Sequence, residues 1–434
     1  CKLLEKLLRD AIVNHMNTHS LFSDAQFGFR SLRSCVLQLL DVMEKWTEWI
    51  DEGYSFDCIY YDFRKAFDTV PHGRLLVKLE SYGIKGKLLQ WIKAFLNNRK
   101  QRVVVNYSQS EWSDVCSGIP QGSVLGPILF LIYINDIEDS IRSTLRLFAD
   151  DTKLFHTANS VSDIQQIQAD TDKLGNWSEK WLLKFNVDKC CTLHYGHNNP
   201  NHTYYLTENG LRKEIKNCET EKDLGLTFDT ELKFRRHIHD CINKANKITG
   251  LIRRSFLHIT SKSFSKLYKT LIRPHLEYGN IIWNPRFKKD IEALERVQKR
   301  ATKLVYYVRN MSYSDRLKAL KIPSLTYRRF RGDMIQVYKL LNNKEDISYG
   351  KFFELNTNTT RGHALKLNKK SCRKDIRKNF FSTRIVSSWN ALPEIVVTAP
   401  TLNTFKNQLD KFIGDKKHTV FPENTWVSNR EGDI

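Results

Sequence analysis

A chain of 434 residues with 41% hydrophobic side chains holds enough material for two to four globular domains at about 100–200 residues each, and too much to be a disordered tail. No run approaches the ~18 apolar residues of a membrane-spanning helix, and no secretory signal is present. The formal net charge of +21 points to a polyanionic partner.

In chain order, apolar residues at helical spacing mark helices over 3–16 and 32–50, the second ending before Gly53. Residues 57–63, rich in aromatic and β-branched side chains, read as a buried strand. Pro71 opens a helix running to Gly83, 87–96 is another, and 101–107 with 111–115 is expected to form a hairpin. Residues 124–137 are strongly apolar and predict a buried helix that tolerates Pro127 in its first turn. Two short strands flank Asp150, an amphipathic helix follows over 162–181, and further strands are expected at 191–195 and 224–228. This interleaving predicts an α+β sheet with helices packed on one face. Beyond Phe234 the pattern is helical: 237–257, 263–276, 289–305, 326–341 and 401–412, with a basic, less periodic interval at 357–378.

The stretch Phe148-Ala149-Asp150-Asp151 carries the most chemistry. Adjacent carboxylates repel and raise each other's pKa unless a cation compensates, and hard divalent ions prefer carboxylate oxygens. A bare Asp-Asp pair is more often a solvated turn, so its context decides. Asp62 ends the 57–63 strand, and two strands each delivering Asp at one end could join Asp62, Asp150 and Asp151 in a two-metal phosphoryl-transfer site. Asp57 and Asp68 compete for the role, but Asp57 starts the strand and Asp68 reads as a helix or turn cap. The nine cysteines are scattered without Cys-x-x-Cys units, which fits a reducing compartment. Cys190, Cys191, His194 and His197 lie close in sequence but lack a second zinc-ligand pair.

In order along the chain come Gln26-Phe27-Gly28-Phe29-Arg30, the block from Asp62 to Asp68, and Ser117-Gly118-Ile119-Pro120-Gln121-Gly122 running on to Pro127. Phe148 to Asp151, Leu183 to Cys190 and Asp223-Leu224-Gly225 follow. This ordered set resembles the reverse transcriptase domain of non-LTR (LINE-type) retrotransposons. The resemblance implies a right-hand polymerase fold: partial fingers over 1–56, a palm with inserted fingers elements over 57–235 and a basic helical thumb over 236–310. A mostly helical region of unassigned role would fill 311–434.

The resemblance also implies the site. Asp62 and Asp150 would bind two Mg²⁺ ions, with Mn²⁺ as a possible substitute, and Asp151 would support them peripherally. Phe67 would block a ribose 2′-OH, Gln121 and Gly122 would meet the incoming dNTP, and Lys189, with Lys184 as rival, would stand near the leaving pyrophosphate. Leu224 and Gly225 correspond to the primer grip, and Arg30 to a template contact. The expected partners are an RNA template, a DNA primer and dNTPs, with no membrane, and the expected location is the nucleus. Because Cys1 rather than Met comes first, the chain is expected to be a fragment lacking an upstream Arg-Pro fingers strand and an endonuclease. A non-catalytic nucleic-acid-binding remnant is the alternative. Residues 231–330 carry 24 Lys/Arg against 7 Asp/Glu, a net +17, interleaved with aromatics that could stack on bases.

Overall fold

The computed structural model describes residues 2–208, 210–357 and 362–420; residues 358–361 of the basic interval and 421–434 of the C-terminal region lie outside it. The chain packs as two units, one of residues 1–38 and 54–221, the other of 39–53 and 222–434. Helix α1 (Lys2–Thr18) belongs to the first, and α2 (Cys35–Glu52) gives its first turn to the first unit and the rest to the second.

The first unit is built on strand β1 (Phe56–Tyr61), buried at every position but Tyr60. Such a near-continuous apolar run suits a strand with neighbours on both edges. Short helices α3 (Ala66–Thr69), α4 (His72–Ser81) and α5 (Gly86–Leu96) follow. The expected hairpin over 101–107 and 111–115 takes a different register. Strand β2 (Lys100–Gln101) pairs with β5 (Ser113–Asp114), and nested inside, β3 (Val104–Val105) pairs with β4 (Ser108–Gln109). The turn falls on Asn106 and Tyr107, at φ +47° and +67°, as a two-residue hairpin connection requires.

Helix α6 (Gly126–Ile134) is buried on all sides apart from Pro127, which explains its lack of a polar face. The buried Glu5 carboxylate accepts a hydrogen bond from Val124 N at 2.7 Å just ahead of it. Strands β6 (Thr144–Phe148) and β7 (Asp151–Thr157) form a hairpin, and α7 (Val161–Trp181) starts at a capping box in which Ser160 and Asp163 bond each other's backbone. Lys78, only 2% exposed, reaches Asp136 at 2.5 Å and lies over the Trp181 ring at 3.8 Å; burial pulls its pKa down to about 8. After β8 (Cys191–Tyr195) comes a hairpin with no counterpart in the sequence reading, β9 (Tyr205–Glu208) with β10 (Leu211–Glu214), and then β11 (Lys216–Asn217). The five-stranded sheet runs β11-β8-β1-β7-β6, with β1 antiparallel to both neighbours.

In the second unit, the expected strand at 224–228 begins two residues later as Leu226–Asp229, because Leu224 and Gly225 form the preceding turn at φ +44° and +89°. Helices α8 (Arg235–Ser255) and α9 (Ser261–Leu267) come next. The single helix expected over 263–276 is interrupted by a π-turn at Tyr268–Ile272 before α10 (Arg273–Glu277), since Pro274 has no N–H to continue the ladder. Further helices include α11 (Asn280–Trp283), α12 (Lys288–Ala301), α13 (Tyr313–Leu320) and α14 (Leu325–Leu341), and Leu402–Ile413 lies near the end. Buried Trp283 and Trp389 anchor this core, as does Trp46 from α2, edge-on to Phe228 at 5.8 Å.

Candidate active site

Asp62 directly follows β1, at the end where Tyr61 pairs with Thr152 of β7. Asp150 lies in the turn that closes β6 onto β7, where Phe148 faces Asp151. The sheet thus brings residues separated by 88 positions to one end of two adjacent strands. Beyond β1 the chain is strapped to the segment before β8: Arg64 N bonds Lys184 O at 2.8 Å, and Asn186 N bonds Asp62 O at 2.7 Å. A 3₁₀ turn, Val187–Lys189, then carries Lys189 back so that its Nζ stands 3.5 Å from Asp62 Oδ2. Lys184 faces Glu179 instead, at 4.0 Å.

The two carboxylates are electrostatically coupled. Burial raises the pKa of Asp150 above the usual carboxylate range, a backbone hydrogen bond opposes this, and the charge of Asp62 pushes it further up. The Asp62 side chain is 42% exposed, yet its Oδ2 is covered and accepts no hydrogen bond. Asp151 is the exposed first residue of β7, and among the described residues no three His, Cys, Asp or Glu side chains form a metal-holding group. Asp62 and Asp150 offer hard oxygens at this end of the sheet, one without a hydrogen bond and one destabilised in its charged form. Both features fit a divalent cation.

The Ser117–Gly122 loop is docked on the segment after Asp62. Ile119 N bonds Phe67 O at 2.7 Å, Gly118 N bonds Val70 O at 2.8 Å, and Ser117 Oγ donates to Asp68 O at 3.1 Å. Gly118 sits at φ +88°, and a Cβ there would stand 2.5 Å from Asp68 O, so only glycine permits this approach. Exposed Gln121 donates through Nε2 to Asp68 Oδ1 at 2.8 Å. Asp68 therefore holds the loop and caps no helix; α3 has Lys65 at its N-cap, with no side-chain bond. Phe67 is half-buried and stacked on Phe130, ring centroids 4.4 Å apart and planes 22° apart. Arg30 Nη1 donates to Ser23 O at 2.8 Å and the guanidinium lies over the Phe22 ring.

Asp57, the acid at the other end of β1, is fully buried and saturated. Its Oδ1 accepts from His194 and Asn199, each at 2.7 Å, and its Oδ2 from Tyr204 at 2.6 Å. His194 is thereby committed to Asp57, and Cys191 donates to Glu221 at 3.2 Å. These side chains do not converge as a zinc set.

In the second unit, the Leu224–Gly225 turn is held by Tyr278, whose hydroxyl donates to Leu224 O at 2.8 Å. In sequence Tyr278 is only one aromatic of the basic 231–330 stretch, and no local pattern links it to a turn 54 residues earlier. The same unit contains an open cleft of about 1040 Å³ lined by Arg253, His258, Arg300, Lys303 and Arg309 with Phe256 and Tyr306, and by no carboxylate.

The first unit is thus a five-stranded α+β sheet that brings two aspartates to one end of adjacent strands. Residues 1–229 match the family model described as "Reverse transcriptase (RNA-dependent DNA polymerase)", more than half of the chain, and the chain belongs to this family. It is 27% identical over 336 residues to the probable RNA-directed DNA polymerase from transposon X-element of Drosophila melanogaster, covering 73% of this chain and 36% of the relative. It is 27% identical over 356 residues to the RNA-directed DNA polymerase from mobile element jockey of the same organism, covering 77% and 37%. The chain thus spans a little over one third of the length of these curated relatives. Apo telomerase from Candida tropicalis is a distant structural neighbour, with a TM-score of 0.41 at 10% identity over 76% of this chain and 53% of that one.

Proposed function

We propose that this chain is the catalytic part of a retrotransposon polymerase that copies RNA into DNA from a primer 3′-OH, using dNTPs. The observation that carries the reading is the coupled pair Asp62 and Asp150, with one buried carboxylate oxygen lacking a hydrogen bond. Asp62 and Asp150 would hold two divalent ions, Mg²⁺ or in substitution Mn²⁺, with Asp151 supporting them from the periphery. Such ions, when bound, acidify an attacking hydroxyl and stabilise a leaving pyrophosphate.

The protein's own groups position the reactants. Lys189, beside Asp62, supplies positive charge toward the triphosphate. Phe67, held by Phe130, forms a wall where a ribose 2′-OH would sit, and Gln121 and Gly122 present the loop edge to the incoming nucleotide. Leu224 and Gly225 steady the primer terminus through their backbone, and Arg30 contributes to template placement. The net +17 of residues 231–330 and the acid-free cleft within it provide sequence-independent attraction for a nucleic-acid backbone. Such a protein acts where its target DNA lies, in the nucleus; no helix among the described residues is long and apolar enough to cross a membrane.

The test is extension of a DNA primer annealed to an RNA template. Asp150→Asn should leave the melting temperature and duplex binding intact while abolishing extension. Extension by this variant at the wild-type rate would overturn the reading.

A further inference from the structure

We infer that Gln26 and Gly28 form a cradle that sets the Ala149–Asp150 turn, making Gln26 a positioning residue for Asp150; this rests on the proposed role of Asp150. Strand β6 is an edge of the sheet, and the 25–27 segment covers that edge through a parallel bridge between Gln26 and Leu147. Two backbone bonds fix the register: Phe27 N to Leu147 O at 2.7 Å and Leu147 N to Ala25 O at 2.9 Å.

The bridge carries the Gln26 side chain, 1% exposed, under the turn. Its Oε1 accepts from Ala149 N and from Gly28 N, each at 2.8 Å, and its Nε2 points to Ala149 O at 3.4 Å. Ala149 has φ +56°, a left-handed conformation that a residue with a Cβ adopts only when its surroundings impose it. Gln26 provides that imposition, because it satisfies the Ala149 amide at the point where the ladder ends.

Gly28 makes the close approach possible. A Cβ on it would lie 2.4 Å from Ala149 N and 3.0 Å from Gln26 Oε1. The nearest atom is turn backbone, which cannot swing aside as a side-chain end would, and the Phe148 carbonyl carbon stands at 3.0 Å as well. The residue after Ala149 is Asp150, so the direction in which its carboxylate leaves the turn follows from the conformation that Gln26 holds. A one-residue backbone change would swing that carboxylate away from Asp62.

The experiment uses the full chain and two readouts that need no turnover: hydrogen–deuterium exchange, and Mn²⁺ affinity by electron paramagnetic resonance. Gln26→Leu keeps the volume and removes the acceptor. The Ala149 and Gly28 amides should then exchange at least tenfold faster, while β1 and β7 amides such as Ile59 and Leu154 keep their protection, and Mn²⁺ should bind at least fivefold more weakly. Gln26→Glu retains an acceptor oxygen and should recover most of both effects. Gly28→Ala, which presses on the turn from below, should reproduce the Gln26→Leu pattern, and it decides the matter if Gln26→Leu does not fold. Unchanged exchange at Ala149, or equal loosening of β1 and β7, would overturn the inference, since Gln26 would then be ordinary core. Wild-type Mn²⁺ binding that is indifferent to Asp150→Asn would instead count against the metal role of Asp150, and the exchange results would still judge the cradle.

Discussion

Strand β1 has one aspartate near its start, Asp57, and another directly past its end, Asp62, and the structure treats the two in opposite ways. Asp57 is enclosed by His194, Asn199 and Tyr204, so that both its oxygens are bonded and none of its surface is exposed. Asp62 keeps a covered oxygen with no hydrogen bond, and its ion-pair partner Lys189 stands at 3.5 Å. A buried carboxylate is stable only if its charge is compensated by donors or a partner. Where the chain supplies every donor, the acid is architecture; where it leaves a deficit beside a second acid, room remains for a ligand. Sites that function commonly give up some stability in this way.

Breaking the contrast from the Asp62 end should give the largest effect. Asp62→Asn is expected to lower primer extension by about 4 kcal/mol of transition-state stabilisation, on the order of a thousandfold, while leaving the unfolding midpoint unchanged or slightly higher. Loss of stability together with activity would place Asp62 alongside Asp57 as a structural acid. The converse change, Asp57→Ala, strands three donors in the interior and should destabilise the chain by about 3 kcal/mol in urea unfolding. The fraction that stays folded should extend primers at the normal rate. A stable Asp57→Ala protein would mean that the saturated end contributes little.

A smaller effect is expected at the wall beside the open end. Phe67→Val should raise the ratio of rNTP to dNTP incorporation by about tenfold, because it removes a clash with the wrong sugar rather than a contact with the right one. It should also cost roughly 1 kcal/mol in stability through the lost stacking on Phe130. A ratio equal to wild type, measured on one template, would show that Phe67 serves packing alone.

The smallest effect is the pH dependence of the saturated end. Burial lowers the His194 pKa, but the hydrogen bond and charge of Asp57 outweigh it, and the net shift is upward. Because the folded value lies above the ordinary ~6.5, the stabilisation is fully present below that pH and is lost as pH rises through the folded value. The stability difference between wild type and His194→Gln should therefore shrink from acid to alkaline pH. A difference that stays flat would show that the pair is not charged.

Residue order alone proposes the candidate site, and the structure locates its members. Asp62 and Asp150 stand beside apolar strands whose type is legible in a few residues, and the motif order placed Phe67, Gln121 and Lys189 in their segments. What failed was local geometry under competing preferences: the register of the 100–114 hairpin, decided by Asn106 accepting positive φ, and the break at Tyr268–Ile272, decided by Pro274. The supports Gln26 and Tyr278 left no local signal, because each bonds a backbone atom more than fifty residues away.

The sequence by itself determined most kinds of element, the family and the positions of the candidate acids, since periodicity, turn chemistry and motif order are properties of short stretches. Only the tertiary structure decided which acids are answered. Asp57 and Asp62 are the same residue type, one within strand β1 and one directly after it, and neighbouring sequence cannot tell how many donors will face each. Donors such as Tyr204, 147 residues away, reach Asp57 only once the sheet is assembled, and the coupling of Asp150 to Asp62 likewise arises only when β7 pairs with β1. Hydrogen-bond saturation and electrostatic coupling depend on distance in space, which the fold sets.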